Sequence, residues 1–449
     1  MSRQDSVQLR AESVISNGFD QADENRSRQN PAVIIFGPPW PRSGTARVIQ
    51  NQVRYYRERG YFTVFIAVPF LRYILHLDPA ELVEGLKELG ADRMFMATLD
   101  KRSFTAAKFK ASLRHAFSGT VLDWHISVGE AARLDQTHLN FLSELPAVLF
   151  HVNHVYTLGF ALNLRKRLFG GRSRLPIILE THDVQSHLLQ QRGDGNPWTR
   201  GHDRLERLIR SESKWLDKAN ALIHLSVDDF KLFQTALPSK PQFLIFPSID
   251  ESFTAAANAG ASLNQTIDLM FVGQWHAPNL AAVQWFFEQV WPLIADRAYT
   301  VKIVGLVGSM IKSGQPQLYE AFRSCFVGEV ADLAPYYRAA RCVIAPMVSG
   351  SGTSIKTIEA FAMGKPFVGT SKAFRGMPMD RLKEVGIQAY DEPQAFADAI
   401  VRALSSEREA QALSLAAYEK VFSFQVSNVS RDEALRAANV LPLRRASPQ

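Results

Sequence analysis

A glycine-rich segment over residues 350–359 contains residue types that can bind a phosphate group. It is Gly-Ser-Gly-Thr-Ser-Ile-Lys-Thr-Ile-Glu and it follows the apolar run Cys342–Ala345. Glycines let a backbone approach a ligand closely, and a helix that begins near Thr353 would point free N–H groups at the same loop. Helix N-termini attract anions, and Lys356 would add a full positive charge in the first turn. Glu359 would lie on the same helix face, at a distance suited to ribose hydroxyls.

The alternative is that this segment has only a structural role and binds no ligand. Gly350 and Gly352 by themselves are equally compatible with a tight strand-to-helix turn, and Lys356 and Glu359 could form a solvent-exposed pair at i,i+3. The complete combination is more specific, because Gly364-Lys-Pro366 then turns into another apolar strand.

The same segment resembles the donor-binding segment of the retaining glycosyltransferases of the GT-B fold, in family 4 and its relatives. That pattern is an apolar strand, a proline, a glycine-rich turn, then Lys-x-x-Glu-Ala and Ala-x-Gly-x-Pro-Val, and residues 342–368 supply nearly all of it. Phe271–Asn279 is similar to the strand and loop that open the family's C-terminal domain. Phe326–Leu333 resembles the loop that receives the nucleobase. The similarity covers about Pro31 to Ser427 and is strongest after Asp268.

The resemblance implies transfer of a sugar from a nucleotide diphosphate donor to an acceptor, with retained anomeric configuration. The site must stabilise the departing diphosphate and a sugar with oxocarbenium character. We expect no metal and no other cofactor, because protein groups would supply the positive charge and the chain has no Asp-x-Asp pair. The expected partners are a nucleotide-sugar and a carbohydrate, lipid-linked or other acceptor, in polysaccharide or glycolipid synthesis.

The resemblance also implies the residues of the site. His182 follows the apolar run Pro176–Leu179, where α/β sheets place ligand groups and where the family has a histidine near the donor sugar. A histidine that only completes the strand end, bonded to Asp183 or to the backbone, is the alternative. The predicted catalytic residues are His182, Lys356 and Glu359. The predicted donor-binding residues are Ser43, Gly44, Thr45, Gly273, Gln274, Glu329, Val330, Leu333, Gly350, Ser351, Gly352, Thr353, Ser354 and Ile355.

Three positions depart from the family pattern. Ser351 stands where many members have a second acidic residue, and Gln274 and Asn279 stand where many have arginine and lysine. Either Lys356 and the backbone carry the diphosphate contacts, or catalysis is weakened. Two other functions therefore stay open. One is a nucleotide-sugar-binding protein with weak or lost catalysis, and the other is a nucleotide-sugar 2-epimerase of similar two-domain architecture.

Apolar strands and helical stretches alternate in two successive series, which predicts an α/β protein with two Rossmann-like, doubly wound parallel-sheet domains. The resemblance adds that the two domains face each other across a cleft. The apolar runs are residues 32–37, 64–68, 147–150, 176–179, 221–225 and 243–246, then 269–272, 301–304, 326–327, 342–345 and 366–368. The predicted organisation is a disordered tail over 1–30, domains over 31–250 and 266–427 joined by a linker over 251–265, and a C-terminal helix and tail over 428–449. Packing of that helix back on the first domain is left open.

Composition limits the function classes. The chain has 449 residues, 46% of them hydrophobic and 21% charged, as in globular proteins. Its net charge of +7 favours an anionic ligand or surface, but no concentrated patch suggests a nucleic-acid binder. The two cysteines, Cys325 and Cys342, cannot form a disulfide framework, and the polar N-terminus lacks a signal-peptide pattern. We therefore predict a cytoplasmic protein without a membrane span.

Two further features have open interpretations. The basic run Arg165–Arg167, with Arg172 and Arg174 nearby, is either a solvated helix face or a peripheral contact with the inner face of an anionic membrane. His151 and His154 follow an apolar strand and could bind a metal together, although a structural role at the strand end is favoured.

Overall fold

The structure is a computed structural model of the chain. It describes residues 26–40, 44–69, 82, 85–98, 101–117, 120–171, 174–191, 205–249, 254, 265–350 and 352–443. The predictions for Ser43, for Ser351, for the tail up to residue 25 and for nearly all of the linker lie outside the described residues. Residues 26–29, which the sequence prediction assigned to the tail, form a helical turn.

The chain divides into two compact units, which we call unit 1, residues 1–245 with 428–449, and unit 2, residues 246–427. In the described part of unit 1 a seven-stranded parallel sheet has the order β3-β2-β1-β4-β5-β6-β7. Its central strands are continuous apolar runs because helices cover both faces of such a sheet. The strands are β1 Ala32–Gly37, β2 Phe62–Ala67, β3 Arg93–Met96, β4 Ala147–Asn153, β5 Ile177–Glu180, β6 Ala221–His224 and β7 Gln242–Leu244.

The helices of unit 1 connect these strands, and a large apolar cluster among the described residues includes Ile34, Phe36 and Val64 of the sheet. Helix α3 begins with a capping box, in which Thr120 and Asp123 satisfy each other's backbone N–H groups. The helices are α1 Gly44–Glu58, α2 Lys101–Phe117, α3 Val121–Gly129, α4 Gln136–Glu144, α5 Val155–Phe169, α6 Gln185–Gln191, α7 Leu205–Leu216 and α8 Val227–Ala236.

Unit 2 contains a five-stranded parallel sheet in the order β10-β9-β8-β11-β12. The strands are β8 Ile267–Val272, β9 Val301–Val304, β10 Phe326–Gly328, β11 Ala340–Ala345 and β12 Phe367–Gly369. The helices are α9 Ala277–Trp285, α10 Val307–Gly314, α11 Pro316–Ala321, α12 Ala334–Ala339, α13 Ile355–Ala362, α14 Met379–Glu384, α15 Pro393–Ser405 and α16 Glu407–Ala417.

The last helix, α17 Phe424–Ala437, carries the chain back into unit 1, to which residues 428–449 belong. Its Asp432 forms an ion pair with Arg59 at 2.9 Å and accepts a hydrogen bond from the Tyr55 hydroxyl. Beyond the helix, the Tyr61 hydroxyl donates to the carbonyl of Leu441 at 3.1 Å. The C-terminal segment is therefore part of the packing of unit 1.

Both sheets have a topological switch point, where strand order reverses and ligands of α/β proteins bind beyond the carboxyl ends of the strands. In unit 1 this point lies between β1 and β4, and in unit 2 between β8 and β11. The loops that follow these four strands are therefore the expected positions of functional groups.

The prediction of two parallel-sheet α/β units is confirmed, and the predicted strands agree with the observed ones within a few residues. The sequence prediction omitted β3, a four-residue edge strand with only one buried residue. It also placed the start of α13 too early. The helix begins at Ile355, not Thr353, because Gly352 has a φ of +65° and Ser354 is extended. Among the described residues no helix has the length and apolar composition that a membrane crossing requires.

Candidate functional site

The loop after β8 is held at its base by backbone contacts in unit 2. The N–H of Gly273 donates to the carbonyl of Val304 at 2.9 Å, and the carbonyl of Gly273 accepts from Val307 at 3.0 Å. A Cβ on Gly305 would lie 2.4 Å from that carbonyl oxygen, and Gly305 has a φ of +110°. Only glycine fits there. Gln274 is exposed at the switch point, just beyond this fixed base.

Lys356 lies on α13 and reaches this loop through Asn279. Its Nζ donates to Asn279 Oδ1 at 2.7 Å and lies 4.5 Å from the centroid of the Phe271 ring. The Nδ2 of Asn279 donates to the carbonyl of Gln274 at 2.9 Å. Two positions that depart from the family pattern, Gln274 and Asn279, are thus connected to Lys356. Asn279 carries no charge, but its hydrogen bond fixes the position of the positively charged Lys356 ammonium.

The ammonium of Lys356 is poorly solvated. Burial lowers its pKa to about 7, and the neighbouring positive charge of Arg375 acts in the same direction, while Glu359 opposes them. A cation that has lost part of its hydration and has a second cation nearby is stabilised by an entering anion. The geometry and the pKa shift therefore both favour an anionic ligand at this point.

Glu359 is buried, with 6% of its surface exposed, and the Tyr337 hydroxyl donates to its Oε2 at 3.2 Å. Lys356 is partly buried as well. The alternative of a solvent-exposed pair at i,i+3 is therefore wrong. Tyr337 itself is fully buried, so the Glu359 carboxylate is held by a rigid donor.

The glycine loop lies beside a cation that the sequence analysis missed. Gly350 and Gly352 have φ values of +131° and +65°, a backbone conformation that favours glycine both in a turn and in a ligand-binding loop. A Cβ on Gly350 would lie 3.1 Å from the Nε of Arg375. Arg375 follows β12 and a short 3-10 turn, so nothing near the loop in sequence pointed to it. The only available signal was that β12 neighbours β11 and ends at the same edge of the sheet.

The remaining predicted residues of unit 2 lie around the same edge. Ser354 is buried at the start of α13, where its Oγ accepts from Thr357 at 3.0 Å, and Thr353 and Ile355 beside it are partly exposed. After β10, Glu329 is exposed, whereas Val330 and Leu333 pack against the apolar cluster that contains Tyr337. The N–H of Gly305 donates to the carbonyl of Gly328 at 2.7 Å, which joins this loop to the base of the β8 loop.

In unit 1 the predicted residue His182 stacks on His154, with 4.1 Å between ring centroids and 14° between ring planes. Both residues have positive φ, +61° and +63°, which is strained for residues other than glycine and clusters at functional sites. His182 Nε2 donates to Asn153 Oδ1 at 2.8 Å. The partner of His182 Nε2 is therefore neither Asp183 nor the backbone, the two partners that the structural alternative expected. Thr45 Oγ1 contacts His154 Nε2 at 3.2 Å, which brings the loop after β1 to the same place.

Both imidazoles of this pair are neutral at pH 7. Burial lowers the pKa of His182 to about 4, although Glu180 opposes the shift. Burial, followed by the charge of His182, lowers the pKa of His154 well below its ordinary value. Within the described residues the buried Nδ1 of His154 has no hydrogen-bond partner. A neutral histidine pair with an unpaired nitrogen can bind a polar ligand group without repelling a sugar that develops positive charge.

A buried carboxylate behind the histidines fixes their surroundings. Glu180 is fully buried and accepts hydrogen bonds from Gln52 at 2.7 Å, His151 at 3.1 Å and Arg431 at 3.3 Å. Burial opposes its ionisation, but Arg431 and then His151 outweigh burial and lower its pKa to about 2. Gln52 also donates to Asn153 Oδ1 at 2.7 Å. The charge of Glu180 is thereby linked through Gln52 and Asn153 to His182.

His151 and His154 have separate partners. His151 accepts a hydrogen bond from the Tyr56 hydroxyl at 2.8 Å and donates to Glu180, whereas His154 stacks on His182. In the part of the chain that the structure describes, no group of three histidine, cysteine, aspartate or glutamate residues is arranged to hold a metal. Sequence reasoning missed Gln52, Asn153 and Glu180, because polar residues at the ends of apolar strands and on a covering helix have no distinctive spacing.

Comparisons with known proteins agree with this architecture. Residues 266–406, which lie within unit 2, match the family model of glycosyl transferases group 1. The solved structure of HepE of Anabaena with UDP shares 14% identity at a TM-score of 0.56, over 91% of this chain and 100% of HepE. No curated protein sequence matches the chain.

Two further solved structures are similar over their whole length. TarM shares 11% identity at a TM-score of 0.58, over 91% of this chain and 99% of TarM. The UDP-forming α,α-trehalose-phosphate synthase of Burkholderia xenovorans shares 12% identity at a TM-score of 0.56, over 92% and 100%. With the two parallel sheets these likenesses establish the GT-B fold, as the sequence predicted.

Proposed function

We propose that the protein is a metal-independent glycosyltransferase of the family 4 type, which moves a sugar from a nucleotide diphosphate donor to an acceptor with retention. The observation that carries the proposal is the position of Lys356. Its poorly solvated ammonium, held by Asn279, lies at the switch point of unit 2 beside the glycine loop and Arg375. Two cations beside a glycine loop at the start of a helix are suited to a diphosphate.

The chemistry that this site would perform follows from its charges. Transfer breaks the bond between the sugar C1 and the diphosphate oxygen and forms a bond from C1 to an acceptor oxygen, so negative charge develops on the departing diphosphate. Lys356 and Arg375 would stabilise that charge, which is the role a metal ion has in other transferases. Glu359, held by Tyr337, would accept hydrogen bonds from the ribose, and the Glu329–Leu333 loop would contact the base.

On the basis of the family resemblance, His182 would contact the donor sugar. Its neutral ring is fixed by Asn153, and Thr45 and Gly44 belong to the same switch point. Because HepE has been solved with UDP and with UDP-glucose, we propose a UDP-sugar as the first donor to test. We place the reaction in polysaccharide or glycolipid synthesis at the cytoplasmic face of the membrane, on the basis of the family resemblance.

The test combines binding with product analysis. In a thermal-shift panel of UDP-, GDP- and ADP-sugars, one class should raise the melting temperature, since a ligand of the native state alone stabilises it. Lys356→Ala and Glu359→Ala should abolish that shift while keeping the far-UV spectrum of the wild type. Lys372→Ala, which removes an exposed cation from the neighbouring turn, is the matched control and should retain the shift. Unchanged nucleotide affinity in both site variants would refute the proposal.

A nucleotide-sugar-binding protein with weak catalysis is the second candidate. It is favoured by one observation: Gln274 and Asn279 contribute no positive charge to the site. Product analysis separates the candidates, because a transferase releases nucleoside diphosphate when acceptor is present, a 2-epimerase interconverts donors, and a binding protein does neither.

A further inference from the structure

His182 is the central residue of a strained turn between β5 and α6. The N–H of Asp183 donates to the carbonyl of Thr181 at 2.8 Å, and His182 between them has a φ of +61°. A three-residue turn that is closed by such a bond and has a positive φ at its centre is the rare and strained form. A conformation of this kind persists only where the surrounding structure fixes the chain on both sides of it.

Strand β6 fixes the chain before the turn. The N–H of Thr181 donates to the carbonyl of Ile223 at 2.9 Å, and Thr181 Oγ1 lies 3.1 Å from His224 Nδ1. Thr181 is only 2% exposed. Because Thr181 directly follows β5, the pairing of β5 with β6 extends to the first residue of the turn.

A buried carboxylate of α7 fixes the chain after the turn. Glu212 Oε1 accepts a hydrogen bond from the N–H of Gln185 at 2.9 Å, and Oε2 accepts from the N–H and the hydroxyl of Ser186 at 2.8 and 2.6 Å. The first N–H groups of a helix have no partner within it. Val184, which precedes α6, has no side-chain acceptor, so Glu212 satisfies these groups from a position 26 residues after Ser186.

The hydrogen bonds of Glu212 are those of an ionised group. Burial raises the pKa of the Glu212 carboxyl to about 6, against the effect of the hydrogen bonds from Ser186 and Gln185. The carboxyl is therefore mostly ionised at pH 7, and its hydrogen bonds are charge-assisted, which makes them about twice as strong as those between neutral groups. Glu212 is 1% exposed, so its charge depends on these donors in place of water.

We propose that Glu212 is a positioning residue for His182. Its carboxylate fixes the start of α6, strand β6 fixes Thr181, and the strained turn between them holds the imidazole at its hydrogen bond to Asn153. The burial and orientation of the ring therefore depend on a side chain of α7 that acts through the backbone. The catalytic consequence rests on the proposed function, whereas the effect on the ring does not.

The first test measures the pKa of His182 by NMR of the full chain labelled at its histidines, with His182→Gln to identify the signal. In the wild type the pKa should be near the value of about 4 that burial imposes. Glu212→Ala releases the start of α6, so water reaches the ring and the pKa should rise towards its ordinary value of 6.5. Ser186→Ala removes one of the hydrogen bonds and should give a smaller rise, and this milder variant keeps the test valid if Glu212→Ala does not fold.

The matched control is Ser211→Ala, next to Glu212 on α7. Ser211 is 7% exposed, and its Oγ donates to Asp123 Oδ2 of α3 at 2.9 Å. The variant therefore loses a buried hydrogen bond of the same helix, and its melting temperature should fall while the pKa of His182 stays at the wild-type value. An equal pKa rise in Ser211→Ala and Glu212→Ala would show that general loosening of α7 is the cause and would overturn the proposal.

The second test uses the UDP-sugar that the thermal-shift panel identifies. Glu212→Ala should lower kcat by about tenfold or more, because small displacements of a group at the reaction centre have large effects on rate. Its affinity for UDP should equal that of the wild type, because the proposed diphosphate residues belong to unit 2. Glu212→Gln keeps one carbonyl acceptor, and its kcat should lie between those of Glu212→Ala and the wild type.

The two tests distinguish failure of this proposal from failure of the proposed function. If the wild type neither binds UDP nor transfers sugar, the proposed function is wrong, and the pKa of His182 still decides whether Glu212 positions the ring. A wild-type pKa of His182 in both Glu212→Ala and Ser186→Ala overturns the positioning role, whatever the kinetics show.

Discussion

The charge state of Lys356 depends on a few side chains around one nitrogen. Burial and Arg375 lower its pKa to about 7, so the free protein holds the charged form below this pH and increasingly the neutral form above it. The hydrogen bond to Asn279 fixes the nitrogen in either form. The affinity for an anion should therefore depend on pH in the physiological range.

We predict that UDP affinity falls as pH rises above about 7, by up to about tenfold per pH unit, because the ammonium must be regained on binding. Lys356→Arg keeps its charge at every accessible pH and should bind UDP with much weaker pH dependence. Isothermal titration calorimetry of both proteins from about pH 6 to about pH 9 measures this. Parallel profiles for the two proteins would show that Lys356 is not the titrating group.

Three residues of unit 2 show how much of the candidate site could be predicted from the sequence. Lys356 and Glu359 were found from their spacing after a glycine loop. Asn279 was taken as a lost contact and is instead the partner of Lys356. The pairing depends on the distance between two loops at one sheet edge, and no local pattern encodes that distance.

Helix α17 is the element on which the buried charges of unit 1 depend. Its Arg431 is 3% exposed and lies 3.3 Å from Glu180, which is fully buried. Removing one partner of a buried ion pair leaves the other without compensation, which costs far more than the pair contributes net. Because Glu180 is linked to His182 through Gln52 and Asn153, the helix also influences the histidine pair.

We predict that Arg431→Met lowers the free energy of unfolding of unit 1 by about 3–5 kcal/mol. Glu180→Gln combined with Arg431→Met should recover a large part of the loss, because no charge then stays buried. Arg436→Met, on an exposed position of the same helix, should change stability by about 0.5 kcal/mol or less. Urea denaturation measures all three, and equal losses in the single and double variants would contradict the argument.

The ionisation of Glu180 makes the stability of unit 1 depend on pH in a definite direction. The folded-state pKa of Glu180, about 2, is below its ordinary value of 4.5. Its contribution to stability is therefore present above pH 4.5 and is lost as pH falls towards 2. In Arg431→Met this loss between pH 4.5 and 2 should be smaller, because the main group that keeps Glu180 ionised is gone.

At the scale of the whole molecule, the last residues of the chain belong to the first unit. Residues 428–449 are part of unit 1, and they contribute the contacts of Arg431, Asp432 and Leu441. The residues proposed to bind the diphosphate, Lys356 and Arg375, lie in unit 2. Stability of unit 1 and nucleotide binding should therefore respond differently to loss of the C-terminus.

We predict that deletion of residues 428–449 lowers the melting temperature of unit 1 and leaves a UDP-dependent shift of unit 2. A chain that ends at Leu443 keeps all the described contacts and is the reference. Differential scanning calorimetry with and without UDP separates the two transitions. An unchanged transition of unit 1 in the shortened chain would show that the C-terminal contacts do not stabilise it.

The sequence by itself determined every described strand except β3, the two parallel sheets and the glycine loop with Lys356 and Glu359. A strand covered on both faces is a nearly continuous apolar run, and a backbone with positive φ favours glycine, so both leave a local pattern. Only the tertiary structure decided which residues are partners. Asn279 is the partner of Lys356, and Asn153 is the partner of His182. Gln52 and Arg431 are partners of Glu180. A parallel sheet brings together the carboxyl ends of strands that are far apart in the chain, and burial there sets the pKa values. Neither the pairing nor the burial is encoded in the spacing of neighbouring residues.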